Sequence, residues 1–168
     1  MAHMKNRGIG FGRARRSSLS VVGALTLFVL LGSCKPGTEQ GADAIFPKGE
    51  KITNNNFTGN VWLEALVEGD TVYNAHIGNV SFEHGARTKW HYHPAGQILL
   101  VTSGTGYYQE KGSPKRIIKK GDVIKCPPNQ QHWHGASNDS DMTHVGITFT
   151  KSGPAVWLKA VTEEEYGN

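Results

Sequence analysis

Histidine is the residue type that most clearly indicates chemistry in this sequence. The chain of 168 residues contains eight histidines, and four of them form two His-x-His pairs, His91/His93 and His132/His134. Because side chains alternate between the two faces of a β-strand, a spacing of two places both members of a pair on one face. Neutral imidazoles bind divalent first-row metals. The two pairs therefore predict a site at which several imidazoles converge on one metal ion.

Two further histidines lie in segments that carry glycine two positions later. His76 is followed by Gly78, and His144 by Gly146. Glycine on an inward strand face leaves space for a close approach, so these segments predict a ligand cavity. Each of these histidines, taken alone, is better explained as a hydrogen-bonded residue of the core. Together with the two pairs they make six histidines that can face one interior.

The elements that must position these side chains are short strands. From residue 57 onward, partly alternating apolar runs are separated by Gly, Pro, Asn and Asp, a pattern typical of an all-β sandwich or small barrel. The predicted strands are 61–67, 71–82, 97–102, 106–109, 115–119, 122–126 and 142–150. One short helix is expected at the C-terminal end, where Thr162 and Glu165 form a capping-box pattern before Tyr166.

Glycine, proline and glutamine recur at fixed distances from the histidine pairs. The two motifs are Gly85-x5-His91-Tyr92-His93-x3-Gln97-x6-Gly104 and Gly121-x5-Pro127-Pro128-Asn129-x2-His132. They resemble the motifs of the cupin superfamily, of which the first supplies two histidines and usually a glutamate, and the second a third histidine. The resemblance implies an all-β fold, a single-domain cupin β-barrel of the jelly-roll type with a short C-terminal helix. It also implies one divalent metal, bound by His91, His93, Gln97 and His132.

Gln97 stands at the position where most cupins have a glutamate. An amide coordinates a metal only through its neutral carbonyl oxygen, so the ion would keep its full positive charge. A more positive ion is a stronger Lewis acid and lowers the pKa of a bound hydroxyl further, at some cost in metal affinity. This residue therefore favours polarisation of a substrate oxygen over the binding of a redox metal.

A narrower resemblance covers residues 57–166, essentially the whole mature domain. The segments that carry it are Gly-Ala-Arg-Thr at 85–88, Trp-His-Tyr-His-Pro at 90–94, Gly-Gln at 96–97, Gly-Asp-Val at 121–123, His-Trp-His-Gly-Ala at 132–136, Met-Thr-His at 142–144 and Val-Thr-Glu-Glu-Glu-Tyr at 161–166. They are similar to the small bacterial manganese cupins with (R)-selective hydroxynitrile lyase activity, also described as carboxymuconolactone decarboxylase-associated cupins. The resemblance implies manganese as the preferred metal, with iron, nickel or zinc as alternatives, and His134 and His144 as acid–base groups.

Three functions are compatible with such a site, because a fold alone does not determine its chemistry. The first is a carbon–carbon lyase that cleaves or forms cyanohydrins, with a small-molecule substrate. The second is a metal-dependent dioxygenase, and the third is a non-enzymatic lipoprotein that binds a small ligand. The resemblance, together with the frequency of symmetric assemblies among soluble proteins, predicts a homodimer or homotetramer.

The first 33 residues are typical of an export signal. They contain five basic residues, no acidic ones, and an uncharged apolar stretch over 17–31. A membrane-spanning anchor would need about 20 strongly apolar residues, whereas the uncharged run 17–33 has 17 residues with two glycines and four serines. The segment Leu31-Gly32-Ser33-Cys34 resembles a bacterial lipobox, whose cysteine becomes lipidated. We expect export to the periplasmic side, a lipid anchor at Cys34, a flexible tether over 34–50 and a cupin domain over 51–168.

The basic charge of the chain belongs to the predicted signal. The formal net charge is +4, from 18 basic and 14 acidic residues, and five of the basic residues lie in 1–33. The rest carries 13 basic and 14 acidic residues, which argues against nucleic-acid binding, since that function needs clustered Lys and Arg. Arg87 and Lys89 flank the first motif, where they either attract an anionic substrate or are solvated loop charges.

The cysteines predict that the hydrophobic core, and not a disulfide bond, stabilises the domain. With Cys34 acylated, Cys126 has no disulfide partner in the chain. Free cysteine is among the most frequently buried residue types, so Cys126 is expected to be a small buried hydrophobe rather than a nucleophile.

Overall fold

A computed structural model describes residues 44–69 and 71–167 of the chain. This part is all-β with one short C-terminal helix, as predicted. The expected signal, Cys34 and the first part of the tether lie outside the described residues. The elements are β1 Glu50–Lys51, β2 Phe57–Thr58, β3 Val61–Val67, β4 Ala75–Phe82, β5 Arg87–Thr88, β6 His91–Tyr92, β7 Gln97–Glu110, β8 Arg116–Lys119, β9 Val123–Cys126, β10 His132–Ala136, β11 Met142–Phe149, β12 Val156–Trp157 and α1 Glu163–Gly167. Within these residues, no helix has the length and apolar character needed to cross a membrane.

The strands form one curled antiparallel sheet in the order β1-β3-β4-β11-β7-β10-β5-β2. Strand β7 is the longest and connects the two sides of this sheet. Its first half pairs with β9 and β11, and its second half pairs with β8 and β10. Strands β10 and β11, which carry three of the predicted site histidines, are therefore both neighbours of β7.

The sequence predicted two strands where the structure has the single strand β7. Segments 97–102 and 106–109 are continuous because Gly104 adopts a positive φ of 72°. This glycine lies beside the register shift between Thr143 and His144 of β11. A Cβ at position 104 would collide with the backbone oxygen of Asp141. The glycine therefore continues the strand through a bulge instead of ending it.

Two hydrophobic clusters stabilise the fold. The larger one consists of Val61, Phe82, Ala86, Leu99, Val101, Tyr108, Ile118, Ile124, Cys126, Ala136 and Met142. The smaller one consists of Trp90, Trp133, Val161 and Tyr166. Cys126 is buried, as predicted, and burial raises the pKa of its thiol to about 11. It is therefore an inert core residue at neutral pH.

The C-terminal helix begins at the predicted capping box and is held against the sheet by a buried arginine. Thr162 Oγ1 accepts a hydrogen bond from the Glu165 N–H at 3.1 Å, and Glu165 Oε2 accepts one from the Thr162 N–H at 2.9 Å. Arg87 is only 4% exposed, and its Nη2 lies 2.5 Å from Glu163 Oε1. The guanidinium also lies over the Tyr166 ring, 4.3 Å from its centroid. Arg87 is therefore neither a solvated loop charge nor a cation that attracts substrate, because it connects β5 to the helix.

Candidate metal centre

Strands β6 and β10 bring the two histidine pairs together. His132 lies directly opposite His91 in the antiparallel pairing of these strands, and the two ring centroids are 4.4 Å apart. His93 follows β6, with its ring centroid 5.1 Å from that of His91 and 5.8 Å from that of His132. One ring nitrogen from each of the three residues lies within 4.8 Å of the others. Three of the predicted ligands therefore converge in one buried cluster.

Backbone carbonyls orient two of these rings. His91 Nδ1 lies 2.9 Å from the oxygen of Lys89, and His132 Nδ1 lies 2.8 Å from the oxygen of Gln130. A ring nitrogen beside a carbonyl oxygen must carry the proton and donate it, which leaves the lone pair on Nε2. Both residues thus present an unprotonated Nε2 to the centre of the cluster, in the form that a metal ion requires.

Gln97, the first residue of β7, places an oxygen beside the three histidines. Its Nε2 donates a hydrogen bond to Thr148 Oγ1 at 3.1 Å, and its Oε1 lies 3.4 Å from His132 Nε2. Nδ1 of His132 carries the ring proton, so Nε2 of His132 is an acceptor. Oε1 of Gln97 is an acceptor as well. Two acceptors that face each other are unfavourable unless a cation lies near both. The amide oxygen therefore fits the part of a fourth ligand.

The remaining nitrogens of the cluster also fit a bound cation. Both ring nitrogens of His93 are buried and have no hydrogen-bond partner among the described residues. A buried polar atom without a partner costs about 1–3 kcal/mol, and coordination would remove that cost for one of them. Imidazole nitrogens with one amide oxygen form a donor set that suits divalent first-row metals. The residues present therefore fit the metal that the sequence predicts.

The three clustered histidines are neutral at pH 7. Burial is the main cause that lowers the pKa of His91, His93 and His132, and for His93 it lowers the pKa to about 4, with a further contribution from His132. Neutral imidazole is the form that binds a metal. The cluster therefore needs no deprotonation step to bind an ion at neutral pH.

His134 and His144 lie together beside the cluster of His91, His93 and His132. Their ring centroids are 4.8 Å apart, and the ring of His134 lies 5.4 Å from that of His91. Within the described chain, Nδ1 of His134 and both ring nitrogens of His144 are buried without a hydrogen-bond partner. Burial lowers the pKa of both residues, to about 4 for His144. Burial therefore keeps both rings neutral at pH 7.

Three aromatic rings pack against the site, and the sequence motifs single out none of them. Tyr108 of β7 packs on His132, with ring centroids 5.6 Å apart. Phe82 of β4 packs on His134 and His144, with ring centroids 5.8 and 5.6 Å apart. Trp157 of β12 stacks on His91 with centroids 4.7 Å apart and an interplanar angle of 28°. These contacts join residues far apart in the sequence, and no local spacing indicates them.

On the inward faces of β4 and β11, some residues face the histidine site and others do not. A Cβ at Gly146 would lie 3.5 Å from the His144 ring and 3.7 Å from Nε2 of Gln97, so this glycine does face the site. His76 lies opposite Thr148 in the strand pairing and is half-buried. It is not one of the three histidines that could hold a metal, and it lies towards the end of this face.

The chain matches the family model of the cupin domain over residues 78–148. A curated relative, an (R)-mandelonitrile lyase of Granulicella tundricola, is 42% identical over 111 residues, which are 66% of this chain and 85% of the relative. Among solved structures, a cupin-like protein of Thermotoga maritima is 55% identical with a TM-score of 0.72, covering 74% of this chain and 95% of that protein. A cupin-2 domain of Rhodospirillum rubrum, 13% identical, has a TM-score of 0.57 and covers 79% and 88% of the two chains. The last similarity concerns the fold alone.

Proposed function

This chain belongs to the cupin superfamily, and we propose that it is a metal-dependent carbon–carbon lyase that cleaves or forms cyanohydrins. The proposal depends above all on the buried, neutral pair His134 and His144. This pair adjoins a cluster whose donors fit a divalent ion. The relative named (R)-mandelonitrile lyase supports the same reaction class.

In this proposal His91, His93, Gln97 and His132 hold one divalent ion, with manganese preferred over iron, nickel and zinc. The bound ion supplies positive charge that lowers the pKa of a substrate hydroxyl. Gln97 contributes no negative charge to offset it. The protein supplies the neutral nitrogens and excludes water, since all four side chains are buried.

His144 then acts as the base. Its buried ring nitrogens have no hydrogen-bond partner in the described residues, so one of them accepts the hydroxyl proton of the cyanohydrin. The electrons of the O–H bond form the carbonyl, and those of the carbon–carbon bond leave with cyanide. His134, with its ring centroid 4.8 Å from that of His144, donates its ring proton to cyanide and is reprotonated by the imidazolium of His144. The products are an aldehyde and hydrogen cyanide, and the enzyme gains no net proton.

Cleavage of mandelonitrile by the manganese-loaded protein tests this mechanism. We expect His134→Ala and His144→Ala each to lower turnover by roughly 10² to 10⁴, the usual effect of losing general acid–base catalysis, at unchanged metal content. His76→Ala removes a half-buried histidine outside the cluster and should retain turnover.

Other outcomes of the same experiment separate the alternatives. Loss of metal from the His134 and His144 variants would show that these residues only support the ligands. Absence of cleavage by the parent protein would contradict the lyase while leaving the metal centre intact. Oxygen uptake by an iron-loaded sample with an enol or catechol substrate would favour the dioxygenase, and tight binding of a small ligand without turnover would favour the binding protein.

We also propose that the protein is exported and lipid-anchored at Cys34, on the basis of the signal-like sequence of residues 1–34. Fractionation of cells that express the full chain tests this. The parent protein should be found with the membranes, and Cys34→Ala should prevent lipidation. An unlipidated Cys34 in the mass spectrum of the purified parent protein would contradict the proposal.

A homodimer or homotetramer is the assembly we propose. Two large apolar side chains on β8 and β9, strands that pair only with β7 among the described residues, support contact with another copy: Ile117 is 67% and Val123 58% exposed. Apolar surface of this kind favours association. Light scattering over a range of concentrations should show two or four copies, and a monomer at every concentration would contradict this assembly.

A further inference from the structure

We propose that Thr148 is a positioning residue that holds the side-chain amide of Gln97 in place as a metal ligand. The inference rests on the proposed metal centre and concerns a residue outside the ligand set. Thr148 and Gln97 are direct partners in the antiparallel pairing of β11 with β7. Gln97 Nε2 donates to Thr148 Oγ1 at 3.1 Å, while Oε1 at the other end of the amide lies 3.4 Å from His132 Nε2.

The surroundings of the amide explain why this hydroxyl matters. Gln97 is only 8% exposed, so an unpaired N–H group there would be costly. On the inward face of β11, the position next to Thr148 is Gly146, which has no side chain that could accept a hydrogen bond. Even a Cβ added at Gly146 would lie 3.7 Å from Nε2 of Gln97. Thr148 is therefore the side chain placed to accept from the amide in this orientation.

A glutamine ligand needs such a partner more than a glutamate does. A carboxylate presents an oxygen at either end, whereas an amide presents an oxygen at one end and two N–H donors at the other. When the oxygen approaches a cation, the amide is polarised and its N–H groups become stronger donors. An acceptor behind the amide therefore stabilises the cation-bound state more than the metal-free one. It also keeps the long side chain from turning elsewhere before the cation arrives.

Calorimetric titration of the metal-free protein with manganese tests this proposal. We expect Thr148→Val to weaken binding roughly 10- to 100-fold, the usual range for a residue that orients a ligand. Thr148→Ser keeps the hydroxyl and should recover most of the affinity. Thr143→Val is the matched control, because it makes the same substitution on the same strand and removes a hydroxyl that donates to Ser81 Oγ at 3.2 Å.

A double-variant cycle distinguishes positioning from a general effect on the fold. In a Gln97→Ala background there is no amide to hold, so Thr148→Val should then have no further effect on affinity. Equal weakening in both backgrounds, or parent-like affinity of Thr148→Val, would overturn the proposal. If Thr148→Val does not fold, Thr148→Ala takes its place in the same cycle.

The result separates this inference from the proposed reaction. A Thr148 effect on manganese affinity in a protein that does not cleave mandelonitrile would leave the positioning role standing and the lyase rejected. Cleavage of mandelonitrile without any effect of Thr148→Val on manganese affinity would leave the lyase standing and reject the positioning role. Failure of the parent protein to bind manganese, iron, nickel or zinc would overturn both.

Discussion

Acid should unfold the metal-free protein because its buried histidines resist protonation. The pKa of His93 and of His144 is lowered from 6.5 to about 4, mainly by burial. In the unfolded chain both residues return to their ordinary pKa. Between pH 6.5 and pH 4 the unfolded state therefore binds more protons than the folded state, and the free energy of unfolding falls as the pH falls.

The size of this effect follows from the two shifts. The pKa of each histidine falls from 6.5 to about 4, which corresponds to about 3 kcal/mol per histidine, because one pKa unit is worth 1.36 kcal/mol. The contribution is fully present above pH 7 and is lost by about pH 4. Small domains have free energies of unfolding of roughly 5–15 kcal/mol. A loss of about 6 kcal/mol from two residues is therefore large enough to unfold the metal-free protein near pH 4.

Urea denaturation of metal-free protein at several pH values measures this loss, with tryptophan fluorescence as the probe. His144→Asn removes one of the two groups, so its free energy of unfolding should fall by about 3 kcal/mol less than that of the parent between pH 7 and pH 4. His84→Asn is the control, since the side chain of His84 is 70% exposed. It should follow the parent curve. Parallel curves for the parent and His144→Asn, or stability that rises on acidification, would refute the reasoning.

Three further predictions concern the ligands and the helix anchor. The double variant His91→Ala with His132→Ala should lose manganese in elemental analysis, and retention of the metal would mean that the ligands are misassigned. Gln97→Glu should bind manganese more tightly in calorimetry and turn over substrate more slowly, because the carboxylate offsets the charge of the ion. A rise in both affinity and turnover would contradict the role of a neutral ligand. Tyr166→Phe removes a buried hydroxyl that donates to a backbone carbonyl of β10 at 2.8 Å. Urea denaturation should therefore show that the free energy of unfolding falls by about 1 kcal/mol. An unchanged midpoint would show that this hydrogen bond does not stabilise the fold.

Local patterns were sufficient for the ordinary strands of the fold. The predicted strand at 61–67 coincides with β3, and those at 122–126 and 142–150 differ from β9 and β11 by one residue. These strands have apolar side chains that face the core, so periodicity reports them. The capping box likewise depends on residues four positions apart or fewer, and the helix begins where it was predicted.

Strand β10 had no such signal, although it carries the centre of the site. All five of its residues, His132–Ala136, are buried, so polar and apolar side chains do not alternate between core and solvent. Its position is set by pairing with β7 on one side and with β5 and β6 on the other. Only the spacing of the histidines marked it. Motif spacing and hydrophobic periodicity thus give independent information, and here the first succeeds where the second fails.

The limits of motif spacing appear at His76 and Thr148, which face each other across β4 and β11. Alternation places both on the inward face, but it does not tell how far along the strand the site extends. Thr148 reaches Gln97 because the pairing of β11 with β7 sets these two residues side by side, whereas His76 lies one strand further from that amide. The partner strand, and not the residue type, therefore decides which inward side chain serves the centre. A threonine with no chemistry of its own in the sequence thus becomes the hydrogen-bond partner of Gln97, while a histidine on the same face remains outside the cluster.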